Sequence, residues 1–190
     1  MDGNQWYQEA ARRVSISEGI KLTRYYDSLG IPTIGIGYNL TRGGVPLRAV
    51  GIADPQAIID GTAGITTEQA LALLTNDLTV SVSNARASLA PGIFDALSDA
   101  RRFTVTDLTY NMGLGGWGSF TGTRALINEA QQAKNANNPN AHGYFVAAGN
   151  HLAASAYYTQ TGNRAKRNVA MLINGGWCDA NGDGSDLIQT

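Results

Sequence analysis

The sequence predicts an α+β fold: a small β-containing lobe near the N-terminus, then a larger helical lobe, with a cleft between them. Three observations predict it. Between Lys21 and Tyr38 the residues are aromatic, β-branched and punctuated by glycine in two short runs, as expected of strands around a turn. From Thr66 onward apolar residues recur at steps of three and four, the period of a helix facing a core. The 190 residues, 43% of them apolar, fit one domain of roughly 100–200 residues. Such a chain can bury its core without a disulfide or structural metal.

Taken in order, residues 5–17 form a short amphipathic helix. Trp6, Ala10, Val14 and Ser17 set its stripe, Tyr7 and Ala11 widen it, and Glu18-Gly19 ends it. Lys21 to Tyr26 reads as a strand, Ser28-Leu29-Gly30 as a turn, and Pro32 to Tyr38 as a second strand. Residues 41–64 read as loop, with one helical turn where Asp54 can cap and Pro55 can sit first. Thr66-Thr67-Glu68-Gln69 is a capping-box signal. Behind it Leu71, Leu74, Leu78, Val82, Ala85 and Leu89 make one continuous stripe that stops before Pro91. Further helices are expected over 93–112, stopped by Gly113, then over 123–134, 144–157 and 163–173. The expected organisation is one catalytic domain over 1–178, with the β-lobe at about 18–64, the helical lobe formed by 1–17 plus 65–178, and a C-terminal tail at 179–190.

Composition excludes several classes of function. With 14 basic against 15 acidic residues the net charge is −1, which gives no global attraction to nucleic acid or anionic membrane. The single cysteine, Cys178, cannot form an intramolecular disulfide or a multi-cysteine zinc site. It has no visible base partner and reads as an ordinary thiol. No run reaches the ~18 apolar residues of a membrane span, and no secretory signal opens the chain. The 23 glycines, an excess over ordinary usage, cluster around the first turn and strand and again at 113–118.

Candidate chemistry concentrates near the first turn. Glu18 stands at a helix end, Asp27 at the end of the first strand and Thr33 at the start of the second. Most acidic residues of a soluble domain are solvated surface charges, and spacing alone does not lift these two above that background. Their surroundings do. The run Ser17-Glu18-Gly19-x-Lys21-Leu22-x-x-Tyr25-x-Asp27, then Gly30-x-x-Thr33-Ile34-Gly35-x-Gly37, is long and specific. Two segments support it downstream: Tyr110-Asn111-Met112-Gly113, and Gln160 to Arg167 followed by Gly176-Trp177. In this pattern the sequence resembles the phage-type, T4-like lysozymes, the endolysin family of glycoside hydrolases.

The resemblance implies a lysozyme-like fold and cleavage of the β-1,4 bonds between N-acetylmuramic acid and N-acetylglucosamine in bacterial peptidoglycan, without a cofactor. It implies that Glu18 is the general acid, protonated at neutral pH. Asp27 would be the ionised partner that stabilises positive charge on the sugar, and Thr33 would hold the attacking water. An inverting mechanism follows, for which carboxyl groups about 6.5–9.5 Å apart are expected. Arg164 is implied as a partner that orients the acid or supports the structure. Asn111 either offers its amide near the acid or the substrate, or caps a helix. The implied protein is a monomer that binds peptidoglycan but no nucleic acid or membrane. It would wait in the host cytoplasm until a separate holin-like protein gives it access to the wall in the periplasm. The rival readings are a lytic transglycosylase and a noncatalytic wall-binding virion module.

Three further features stand apart. Where the family often carries His after Thr-Ile-Gly-x-Gly, this chain has Tyr38-Asn39, so an ion pair centred on His is not expected there. His142 and His151 lack metal-ligand spacing and read as surface or packing residues. Asp179, Asn181 and Asp183, followed by Gly184, match the first half of a calcium loop, but position twelve is Thr190 rather than Glu. The expectation is a polar turn without metal, the calcium loop being the weaker alternative.

Overall fold

A computed structural model of the chain describes residues 1–27 and 29–187. The fold is α+β, mostly helical with one small antiparallel sheet. It divides into two compact units, one of residues 2–79 and one of Met1 with residues 80 onward.

The first unit begins with α1 (Gly3–Glu18), closed at its N-terminus by a capping box between Asp2 and Gln5. It buries Trp6, Ala10, Ala11 and Val14, while Gly19 ends it in a positive-φ conformation. Three strands follow, β1 (Lys21–Tyr26), β2 (Pro32–Gly35) and β3 (Tyr38–Asn39), in sheet order β1-β2-β3 with both pairings antiparallel. The single second strand expected over 32–38 is thus two strands. The chain reverses at Ile36-Gly37 so that Ile34 pairs with Tyr38 and Thr33 with Asn39. Gly35 enters this turn at φ +66°, and a Cβ there would stand 3.2 Å from Cβ of Ala70. No L side chain suits that combination of backbone and crowding.

Residues 41–64 are more ordered than loop. A 3-10 turn (Leu40–Arg42) leads into α2 (Val45–Ala49) and α3 (Pro55–Asp60). Asp54 caps α3 as expected, accepting from the N–H groups of Gln56 and Ala57. The missed helix, α2, is only five residues long, with Pro46 in its first turn, and so short a piece shows no period. The Thr66–Gln69 box is present with both reciprocal bonds, at 3.0 and 3.2 Å. It starts α4 (Thr67–Ala87), which contributes to both units along its length.

Within the first unit, Tyr38 takes up the ion-pair question in a different form. Its ring is buried, the Arg42 guanidinium lies 4.8 Å from the ring centroid, and Arg42 is paired with Asp77 of α4 at 2.6 Å. The ion pair at this place is therefore made by arginine, stacked on the aromatic ring. The Tyr38 hydroxyl is buried without a hydrogen-bond partner among the described residues, which costs stability. Tyr38→Phe is expected to leave stability unchanged or raise it by up to about 1 kcal/mol, read as the midpoint of urea unfolding.

The second unit is helical: α5 (Ile93–Ala96), α6 (Asp99–Gly118), α7 (Thr121–Asn135), α8 (Ala141–Ala153), α9 (Ala156–Thr161) and α10 (Asn163–Asn174). The helix expected over 93–112 is broken at Leu97-Ser98. Leu97 is extended and Ser98 caps α6 by accepting from the Arg101 N–H. Gly113 does interrupt the helical path, at φ 69° and ψ 171°. Residues 114–118 are helical again rather than a plain turn. The helix expected over 144–157 starts earlier and is split at Ala154-Ser155, where Ser155 is extended and its hydroxyl donates back to the Leu152 carbonyl at 2.6 Å. The described part of the tail, up to Leu187, is packed. Ala180 is buried, the Arg167 guanidinium donates to the Gly182 carbonyl at 2.8 Å, and a 3-10 turn (Ser185–Leu187) follows. No helix among the described residues is long and apolar enough to cross a membrane.

Candidate active site

Three of the candidate residues, Glu18, Asp27 and Thr33, lie in the first unit. Glu18 is the last residue of α1 and is exposed. Gly19 turns the chain directly from that helix end into β1, so the carboxylate stands beside the start of the sheet. Asp27 follows β1 and organises the turn. Its backbone exchanges bonds with Ile31 and Gly30, and its Oδ1 accepts from the N–H groups of Leu29 and Ile31 at 2.8 and 2.9 Å. Oδ1 is thus anchored, while among the described residues Oδ2 accepts no hydrogen bond. Ser28, inside the expected turn, lies outside the described residues. Thr33 is buried on β2, and its hydroxyl donates to the Ile31 carbonyl at 3.0 Å. With that proton committed, the oxygen's lone pairs remain to accept a hydrogen bond from water.

Tyr25 joins these groups. It is the register partner of Thr33 across β1 and β2, so both side chains stand on one face of the sheet. Burial, then the charges of Glu18 and Asp27, push its phenol above the ordinary tyrosine range. Both carboxylates therefore act on one hydroxyl. The Lys21 ammonium lies over the same ring, 4.1 Å from its centroid. Tyr25 and Lys21 belong to the motif that drew attention to this segment, but no spacing argument gives them a role.

In the second unit, Arg164 is buried at the start of α10 and forks onto Asp107 of α6. Its Nε donates to Oδ2 at 2.9 Å and its Nη2 to Oδ1 at 2.7 Å. Asn168 donates to the same Oδ2 and to the Tyr157 hydroxyl, each at 2.8 Å. Asp107, Asn168 and Tyr157 escaped the sequence reading. The signal was present, since Asp107 lies four residues after Phe103 and so on the apolar side of its helix. Burial, then the Asp107 charge, push the Tyr157 phenol up to about 12. An unfolded tyrosine ionises near 10, so above that pH the unfolded chain sheds a proton that the folded one keeps. The stability contributed at neutral pH is thus lost as pH rises from about 10 to about 12. Tyr157→Phe is expected to flatten this part of a plot of melting temperature against pH.

The remaining candidates are placed as follows. Asn111 is exposed on α6, two residues before Gly113. His142 is exposed, while His151, also exposed, bonds through Nδ1 to the buried Thr123 hydroxyl at 2.9 Å. Cys178 is buried. In the calcium-like segment Asp179 accepts from the Asn181 N–H and Asp183 from the Ser185 N–H. Among the described residues no group of three or more His, Cys, Asp or Glu could hold a metal ion. The pattern's twelfth residue, Thr190, lies outside them.

Glu18 at the end of α1, Asp27 after β1 and Thr33 on β2 thus lie within one segment of the first unit. The family model for phage lysozyme matches residues 15–155, a span that holds all three. The chain belongs to the phage lysozyme family. It is also 26% identical over 168 residues to the pre-baseplate central spike protein Gp5 of Enterobacteria phage T4. That match takes in 83% of this chain but only 26% of the spike protein's length. Family membership supports a peptidoglycan hydrolase.

Proposed function

We propose that the protein is an N-acetylmuramidase that hydrolyses the β-1,4 bond between N-acetylmuramic acid and N-acetylglucosamine with inversion. The observation that carries this reading is the joint action of Glu18 and Asp27 on Tyr25, directly across the sheet from Thr33. Glu18 gives its proton to the glycosidic oxygen as the C1–O bond breaks, and the leaving sugar departs as an alcohol. The Asp27 carboxylate, with Oδ1 anchored, stabilises the positive charge that develops on the ring. A water accepted by the Thr33 oxygen adds to C1 from the opposite face and loses its proton to Asp27. No step needs a cofactor.

The test is mass analysis of digested peptidoglycan. Reducing muramic acid ends are expected, whereas 1,6-anhydro ends would identify a lytic transglycosylase, and intact glycan would leave only a wall-binding module. As an endolysin, the proposed enzyme acts as a monomer on peptidoglycan, with no nucleic-acid partner. It accumulates in the host cytoplasm and reaches the periplasmic wall through a separate holin-like protein, causing lysis. The similarity to a central spike protein favours a second setting for the same chemistry, in which the enzyme is carried in the virion. Detection of the chain in purified particles would select that setting.

A further inference from the structure

Within that muramidase reading, on which the following rests, we propose that Tyr25 is a substrate-contacting residue, pinned by Lys21, whose phenolic hydroxyl donates a hydrogen bond to the sugar held between Glu18 and Asp27. Three observations place it there. It is the direct cross-strand partner of Thr33, so its ring stands on the face of the sheet that presents the water-binding oxygen. The Lys21 ammonium, 4.1 Å from the ring centroid, holds the ring through a cation–π contact. The ring is half-buried, and its hydroxyl bonds to no other described residue, which leaves the O–H to a ligand.

The charges around it fix which hydrogen bond it can make. Glu18 comes from the end of α1, Lys21 from β1 itself and Asp27 from the turn, while the facing strand β2 brings no titratable group. Arg24, the other cation of β1, is engaged elsewhere, with the Tyr26 ring and with the Ile59 carbonyl at 2.9 Å. Burial first, and then the two carboxylates, raise its pKa, so the phenol keeps its proton. It is therefore a donor throughout the neutral range. A saccharide offers hydroxyl, ring and acetamido oxygens as acceptors, and a donor fixed beside both carboxylates sets the ring's position along the line of attack.

The test compares Tyr25→Phe with the parent on soluble, uncrosslinked glycan strands prepared from peptidoglycan. The expected result is a fall in kcat/KM of about tenfold or more, an unchanged melting temperature and unmoved limbs of the pH–rate profile. Lys21→Met, which frees the ring but keeps the hydroxyl, should raise KM severalfold, and Lys21→Arg, which keeps the cation, should restore it. Parent-like kcat/KM in Tyr25→Phe overturns the proposal. So does a displaced pH limb, because the tyrosine would then act through a carboxylate and not on the sugar. A lower melting temperature with full activity in the folded protein also overturns it, by showing a structural role. Glu18→Gln is measured in parallel. If it hydrolyses at the parent rate, the muramidase reading itself fails. If it is inactive while Tyr25→Phe is not impaired, the assignment of Tyr25 alone fails.

Discussion

Glu18→Gln is expected to reduce peptidoglycan hydrolysis by about 10²–10⁴-fold, the range over which a positioned general acid acts, with no loss of thermal stability. The reason for the second half lies in where Glu18 stands. It is the exposed last residue of α1, and the helix is closed by backbone instead, through the Gly19 N–H and the Ser15 carbonyl at 2.8 Å. A negative charge at the C-terminal end of a helix opposes the helix dipole, and glutamine removes that charge. Glutamine keeps the side chain's shape and removes the transferable proton. Turbidity loss of isolated cell walls, together with a circular-dichroism melt, checks both halves. A variant with parent activity would remove Glu18 from the mechanism.

The second large effect is on stability. Asp107→Ala strips the acceptor from a buried arginine and a buried amide at once. Breaking a buried, bidentate pair from one side leaves an uncompensated charge and is expected to cost about 3–5 kcal/mol. For a chain of this size that corresponds to a fall in melting temperature of roughly 10 °C. The cost is that of stranding Arg164, so Asp107→Ala combined with Arg164→Met should melt well above the sum of the two single effects. Strict additivity in that cycle would show that the two groups do not act as a pair.

Features that depend on local chemistry were readable in the sequence. The capping box at Thr66, the Asp54 cap and the Gly19 stop each rest on residues within four positions of one another, and all three are present. The reversal at Ile36-Gly37 was not readable, because alternating small and branched residues suit one strand as well as two. The antiparallel pairing of Ile34 with Tyr38 and of Thr33 with Asn39 distinguishes them. The breaks at Ser98 and Ser155 were hidden for a related reason. A serine inside an apolar period reads as a tolerated residue unless the backbone around it is seen to be extended. The motif put forward Glu18, Asp27 and Thr33 as candidates, yet the register that sets Tyr25 opposite Thr33 is a property of the sheet. Its two extra residues on β1 between Lys21 and Tyr25 have no one-dimensional signature. Buried polar chemistry was the least legible. Asp107, Asn168 and Tyr157 come from three helices and gain meaning only where they meet.

The arginine stacked on Tyr38 has a consequence for the conditions under which this protein can work. An imidazole in that place would gain and lose its charge between about pH 5 and 8. A guanidinium does not titrate in that interval, so the cationic side of the Arg42–Asp77 pair is constant across it. The segment after β3 is thus tied to α4 through a cation that stays charged over that interval. An enzyme moving between compartments of different proton concentration would carry this part of its framework through unaltered.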